Sequence, residues 1–407
     1  MMREAAEDDM MGTDSRANKD KSRDHFRKVT TEPFPCSLGG DILKQKKPVR
    51  KKILVIAACV LFAVLAGSAI LSEVQYAKHF GSRFDTIQPI NQRVEFFEGL
   101  QRTKYTFPSN KGQMLTGYLY SSAGVEPKGI IILSHGYGSG HNNNMGCADY
   151  FTKHGYYVFG FDVTGNDESE GAAVEGLPQG VIDLEHAIEF VENSGNFPKL
   201  PIGLFGHSWG GYCVGAALVH HPEMKAVIDC SGFNNSTDLF ISEGRHIAGP
   251  AVYLSLPFLK LHDWIKFGSY AWLTADEGFS KSDAKILVVH SSDDDIVPPE
   301  FGYDVYYRNH KDDPRFSFMR LEGKGHKYFY KDTKESQEII QSYQNWVNSL
   351  DYDYKDPKNL ERFIKERDEG IKENVDVKAL WQNRLDEELF GKFVEFYDGA
   401  MSNKNEE

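Results

Sequence analysis

Cysteine is scarce, with five in 407 residues, at Cys36, Cys59, Cys147, Cys213 and Cys230. That excludes a scaffold held by a disulfide framework, and the simplest reading of Cys147, Cys213 and Cys230 is small buried hydrophobes. Basic residues are also short in most of the chain. Residues 1–52 hold 13 Lys and Arg against 9 Asp and Glu, a balance of +4, whereas residues 53–407 hold 33 against 50, a balance of −17. A nucleic-acid partner needs clustered cations to neutralise phosphate, so an acidic main domain argues against one. No cluster of His, Cys and Asp has metal-ligand spacing, no internal repeat is present, and nothing in the sequence calls for a cofactor.

What is present begins with the N-terminal region. Residues 1–43 mix charges with Gly, Ser and Pro without an apolar period, so residues 1–52 read as a disordered tail with a basic end. That end is Lys44, Lys46, Lys47, Arg50, Lys51 and Lys52, and the next stretch, Ile53 to Leu71, contains no charge. Nineteen residues at about 1.5 Å each approach the ~30 Å of a bilayer's hydrocarbon, so residues 53–71 read as a single membrane-spanning helix. Because Lys and Arg resist translocation, the N-terminus is expected on the cytoplasmic side and the rest of the chain across the membrane.

After a linker over residues 72–101, short β-rich runs alternate with helical patterns through residues 102–350. The expected strands are Thr103–Phe107, Met114–Tyr120, Gly129–Ser134, Tyr157–Asp162, Ile202–Phe205, Ala226–Asp229, Lys285–His290 and Phe316–Leu321. Continuous apolar runs such as Ile130–Leu133 suit strands buried on both faces, and the alternation implies an α/β fold with a mostly parallel central sheet covered by helices on both sides. Residues 232–283 interrupt it with a segment rich in Phe, Leu and Trp. Residues 351–407 read as a charged helical extension.

Gly206-His207-Ser208-Trp209-Gly210 fits G-x-S-x-G and lies between an apolar strand and a helical pattern, the setting of a nucleophile elbow. Leu133-Ser134-His135-Gly136-Tyr137-Gly138 closes another apolar run. Its glycine-flanked loop makes the backbone N–H of Tyr137, with that of Trp209, a candidate donor pair for a carbonyl oxygen that gains negative charge. Downstream, Asp293, Asp294 and Asp295 follow a buried strand, and one of them is expected to orient a base. Gly323-Lys324-Gly325-His326 places that base, His326, on a turn. Ser, Asp and His in this order can form an acyl-enzyme that water releases.

Together these residues resemble the α/β-hydrolase superfamily, particularly the branch with serine aminopeptidase-like, monoglyceride-lipase-like and carboxylesterase-like members. The resemblance covers about residues 102–350. It implies Ser208 as nucleophile, Tyr137 and Trp209 as oxyanion donors, His326 as base and Asp294, rather than its two neighbours, as the acid. It also implies a small helical cap at about residues 232–283, where Phe233, Phe240, Trp264 and Trp272 are candidates to line an acyl pocket or to form the cap's own small core. Two positions differ from the family pattern. Ser291 stands where a glycine usually follows the strand-ending histidine, and Gly165-Asn166-Asp167-Glu168-Ser169 replaces a Gly-His-Gly-x-Ser loop, so no substrate contact is carried over there.

The expected activity is cleavage of a carboxylic ester with a hydrophobic acyl group, the substrate being a small-molecule or lipid-like ester. A peptidase or amidase would need a cap carboxylate such as Glu243 or Asp263 to bind a substrate amine. An acyltransferase would replace water with another acceptor, and a membrane-tethered binding protein would have no use for all three triad residues. Asn234 and Asn235 each begin an N-glycosylation sequon.

Overall fold

The computed structural model describes residues 47–85, 92–354, 356–374, 380–381 and 384–402. The expected disordered tail, up to residue 46, lies outside the described residues. The first helix, α1, runs Lys47–Phe80, and among the described residues it is the one helix long and apolar enough to cross a membrane. Ile53, Leu54, Val55 and Phe62 are exposed along it. An apolar face of that size is rarely left in water.

All eight expected strands are present, each within three residues of its expected ends. β1 (Leu100–Pro108), β2 (Met114–Ser122), β3 (Gly129–Ser134), β4 (Tyr156–Phe161), β5 (Ile202–His207), β6 (Ala226–Cys230), β7 (Lys285–Ser291) and β8 (Phe316–Leu321) form one sheet ordered β1-β2-β4-β3-β5-β6-β7-β8. β2 runs antiparallel to both neighbours, and every pair from β4 onward is parallel. Alternation explains the apolar runs. Ile130 and Ile132 of β3, with Ile286 and Val288 of β7, join one core; Ile131, Leu133, Leu287 and Val289 join the core on the other face.

Helices α3 (Leu177–Asn193) and α4 (Trp209–Ala217) contribute to the first core, as does α7 (Ala275–Lys281), after α2 (Met145–Lys153) has contributed to the second. The cap between β6 and β7 comprises α5 (Asp238–Ala248), α6 (Leu256–Phe267) and α7, joined by 3-10 turns. Asn234 is committed to this fold: its side-chain oxygen accepts the Asp276 N–H at 2.9 Å.

Two expected boundaries are corrected. The residues read as a linker begin as helix, because α1 continues to Phe80 with Tyr76 and Phe80 buried in the first core, and β1 starts at Leu100. The residues read as a charged extension include a structural element: the last described helix, Glu387–Met401, buries Leu389, Phe390, Phe393, Val394, Tyr397 and Met401 in the second core. The Tyr397 hydroxyl donates to the Leu204 carbonyl of β5 at 2.7 Å.

Candidate active site

Parallel strands deliver their C-terminal ends to one edge of a sheet, which is where ligands bind in open α/β folds. β3, β5, β7 and β8 therefore present, at one edge, the loop of His135 to Gly138, Ser208, the aspartates 293–295 and the turn of His326. Ser208 has φ 58° and ψ −117°, a conformation that strains a residue with a Cβ. It is held there by an N–H bond to the Cys230 carbonyl at 2.8 Å. The flanking glycines are required sterically: a Cβ on Gly206 would lie 2.1 Å from the Gly210 carbonyl oxygen, and one on Gly210 would lie 2.0 Å from that of Ser134. The Trp209 indole N–H, donating to the Leu177 carbonyl at 2.9 Å, ties the elbow to α3.

The three aspartates separate by environment. Asp294 is buried and its Oδ2 meets His326 Nδ1 at 2.8 Å, while its Oδ1 accepts the N–H groups of Ile296 and Val297 at 3.1 and 2.9 Å. Burial pushes its pKa up, but the His326 hydrogen bond and charge, with the Val297 N–H and the nearby His290, outweigh burial and hold it below the usual carboxylate value. Asp293 is exposed and Asp295 also faces solvent. Asp293 takes bonds from Ser291 Oγ at 2.6 Å and from the N–H groups of Lys324 and Gly325 at 3.1 and 3.2 Å, fixing the turn that carries His326.

His135 is a loop brace. Its Nε2 accepts the Val163 N–H at 3.2 Å, which leaves Nδ1–H to donate to the Gly136 carbonyl at 2.9 Å. A Cβ on Gly136 would sit 3.5 Å from the Ser208 Cβ, so this backbone passes directly over the serine. The Tyr137 ring packs edge-on to Trp209 at 6.2 Å, and its hydroxyl donates to the His79 carbonyl at 2.6 Å.

Ser208, His326 and Tyr137 all line one cavity of about 650 Å³. Of the side chains expected to form an acyl pocket, Phe240 lines it. Phe233, Trp264 and Trp272 do not, and this corrects the expectation. Phe233 is 1% exposed and stacks on Tyr212 inside the core, whereas Trp264 and Trp272 are 54% and 57% exposed on the outer cap surface. Aromatic spacing alone does not separate a cap's core, its outer face and a pocket wall.

Sequence reasoning missed several walls of the cavity: His79 and Phe80 from the end of α1, Gln92, Ile296, Phe329, Tyr330 and Trp381. Trp381 reaches it because residues 384–386 pair with the chain just after His326: Asp386 N–H donates to the Phe329 carbonyl at 2.8 Å, and the Trp381 ring meets Tyr330 edge-on at 5.2 Å. Glu243 lines the cavity, but Asp263 is buried beneath Tyr76 and Ser236. Among the described residues, Glu192, His221 and Glu223 bring possible metal-ligand atoms within 4.8 Å of one another, a grouping not visible in the sequence, and none of them lines the cavity.

A family model described as serine aminopeptidase, S33, matches residues 125–269, a segment that holds Ser208 and ends before Asp294 and His326. A monoglyceride lipase of Saccharomyces cerevisiae is 24% identical over 227 residues, 43% of this chain and 70% of that protein. A monoacylglycerol lipase of Mycolicibacterium smegmatis is 29% identical over 110 residues, 26% of this chain and 39% of that protein. Among solved structures, an esterase of Pyrococcus furiosus aligns over 66% of this chain and 91% of its own, with a TM-score of 0.44 and 17% identity. With its mostly parallel eight-stranded sheet and strand–serine–helix elbow, the chain belongs to the α/β-hydrolase superfamily. It is an enzyme of that superfamily's serine-hydrolase type.

Proposed function

We propose that the protein is a membrane-anchored carboxylic ester hydrolase acting on a substrate with a hydrophobic acyl group. The observation that carries this reading is the buried Asp294–His326 hydrogen bond at 2.8 Å beside the strained Ser208 of the same cavity. In this mechanism His326 Nε2 removes the Ser208 hydroxyl proton as Oγ attacks the ester carbonyl carbon. The N–H groups of Tyr137 and Trp209 hold the resulting oxyanion. Collapse breaks the acyl C–O bond, and His326 returns the proton to the leaving alcohol. Water, activated by the same imidazole, then releases the acid and restores Ser208. Asp294 keeps Nδ1 protonated and steadies the imidazolium.

The apolar walls supplied by Phe80, Leu239, Phe240, Ile296 and Phe329 suit an acyl chain, and the two relatives are named as a monoglyceride lipase and a monoacylglycerol lipase. Membrane attachment rests on the charge-free run 53–71 behind six cations, with the N-terminus cytoplasmic and the hydrolase domain across the membrane. Labelling of membrane fractions with a fluorophosphonate probe tests the assignment. The wild-type chain should be modified at Ser208, and Ser208→Ala should lose both label and turnover, a fall on the order of 10⁴-fold or more. Absence of label on folded wild-type protein sinks it.

One observation favours a second reading: Glu243 of the cap lines the cavity and could pair with a substrate ammonium, as an aminopeptidase requires. A panel of matched esters and amino-acyl amides separates the two, since Glu243→Gln should cripple only turnover of amine-bearing substrates.

A further inference from the structure

The last turns of α1 do more than lead away from a membrane span. The Tyr76 hydroxyl donates to Asp263 Oδ1 at 2.7 Å, the other oxygen of Asp263 is held by Ser236 Oγ at 2.7 Å, and Glu73 meets His262 at 2.9 Å, so the helix end is pinned to cap helix α6. The chain that follows is bonded in turn to the loop after β4. The Phe80 carbonyl accepts from Glu175 N–H at 3.1 Å, that of Ser82 from Val174 N–H at 3.1 Å, and that of Phe84 from Asp167 N–H at 3.1 Å, while Phe84 N–H donates to the Gly165 carbonyl at 2.9 Å. The Arg83 guanidinium donates to the carbonyls of Asp167, Ser169 and Gly171 at 2.7, 2.9 and 2.7 Å. The Gly165–Ser169 loop that departs from the family pattern is thus the cradle of this segment. A mere tether has no need of such a clamp, because a loose linker holds a domain to a membrane equally well.

What the clamp fixes is Phe80. Its ring meets Phe240 of α5 and Tyr137 of the loop over Ser208 edge-on, each at 5.5 Å, and it lines the cavity beside Ser208. We infer that Phe80, at the end of the anchor helix, is a specificity-determining wall for the substrate's acyl chain, making the anchor part of the substrate site. The inference rests on the ester-hydrolase reading above. An acetyl group ends close to the reacting carbon, whereas a long acyl chain must extend along the apolar walls, so loss of the ring falls mainly on the long chain.

The test is kcat/KM of the full chain in detergent micelles toward p-nitrophenyl laurate and p-nitrophenyl acetate, with unfolding midpoints recorded alongside. Phe80→Ala should lower the laurate-to-acetate ratio about tenfold, as expected for lost apolar contact, and Phe80→Leu, which keeps most of the packing, should fall between. A ratio equal to wild type in both variants, whatever happens to total activity, overturns the inference. So does a wild-type enzyme that accepts acetate and refuses laurate. A wild-type chain that turns over neither ester and takes no fluorophosphonate label instead removes the hydrolase reading, and this one with it.

Discussion

Ser291 occupies a place where a glycine was expected, and its hydroxyl accounts for the difference by donating to Asp293 at 2.6 Å and accepting the Lys324 N–H at 3.2 Å. The acid loop and the histidine turn are thereby joined through residues beside Asp294, which stays free to reach the imidazole. The other neighbour of His326, the proposed base, is His207, whose Nε2–H donates to the His326 carbonyl at 2.9 Å. Its enclosure, then the adjacent His326, lowers its pKa from 6.5 to about 3. The sign follows from linkage. Between these values the unfolded chain binds a proton that the folded chain does not, so this contribution is complete above pH 6.5 and lost as pH falls toward 3, by up to about 1.4 kcal/mol per pH unit. The stability difference between wild type and His207→Gln, from denaturant unfolding at several pH values, should therefore grow from pH 3 to 6.5 and then level. A difference independent of pH contradicts it. At this scale Ser208, His326 and Asp294 stand out in the sequence because backbone strain and proton transfer, the chemistry proposed for them, admit few residue types at such places. The sequence does not separate Phe233, Trp264 and Trp272 from pocket walls, because any apolar surface accepts an aromatic ring.

Among the elements, the strands were legible because burial on both faces demands unbroken apolar runs, and the two periods of strand and helix differ enough to separate them. The helix Glu387–Met401 reads from the sequence as part of a charged extension, although Leu389, Phe390, Phe393, Val394 and Tyr397 recur at helical spacing along it. The signal was present, but charged residues on the opposite face masked it. Since Phe393 is fully buried against Phe205 and Phe390, with ring centroids at 5.9 and 5.1 Å, Phe393→Ala should destabilise the fold by roughly 3–5 kcal/mol, read from chemical denaturation. A chain cut after residue 350 should fail to fold, having lost one cover of its sheet. Cooperative melting of that fragment counts decisively against the helix as a core element. The end of α1 left a fainter trace, because Tyr76 and Phe80, one turn apart among polar residues, give too short a pattern to distinguish a docked helix from a linker.

Across the whole molecule two surfaces could engage a lipid bilayer, and they make different claims. One is the charge-free run 53–71; the other is the outer face of the cap, where Trp264 and Ile265 of α6 are exposed directly after His262 and Asp263, the residues that hold Glu73 and Tyr76. A transmembrane helix inserts effectively irreversibly, whereas a few interfacial side chains bind reversibly. If the run 53–71 is the anchor, a chain beginning at Ser72 should leave the membrane pellet in alkaline carbonate. It should also keep its laurate-to-acetate ratio in micelles, because the bonds through Glu73, Tyr76 and Arg83 still seat Phe80. A chain beginning at Gln92 loses those bonds together with the wall, so its ratio should fall as in Phe80→Ala. Retention of the Ser72 chain in the carbonate-washed pellet would move the anchor to the cap. Equal ratios in the two shortened chains would reduce α1 to a tether. Sedimentation and two colorimetric assays thus separate attachment from substrate selection, the two roles proposed for successive segments of one helix.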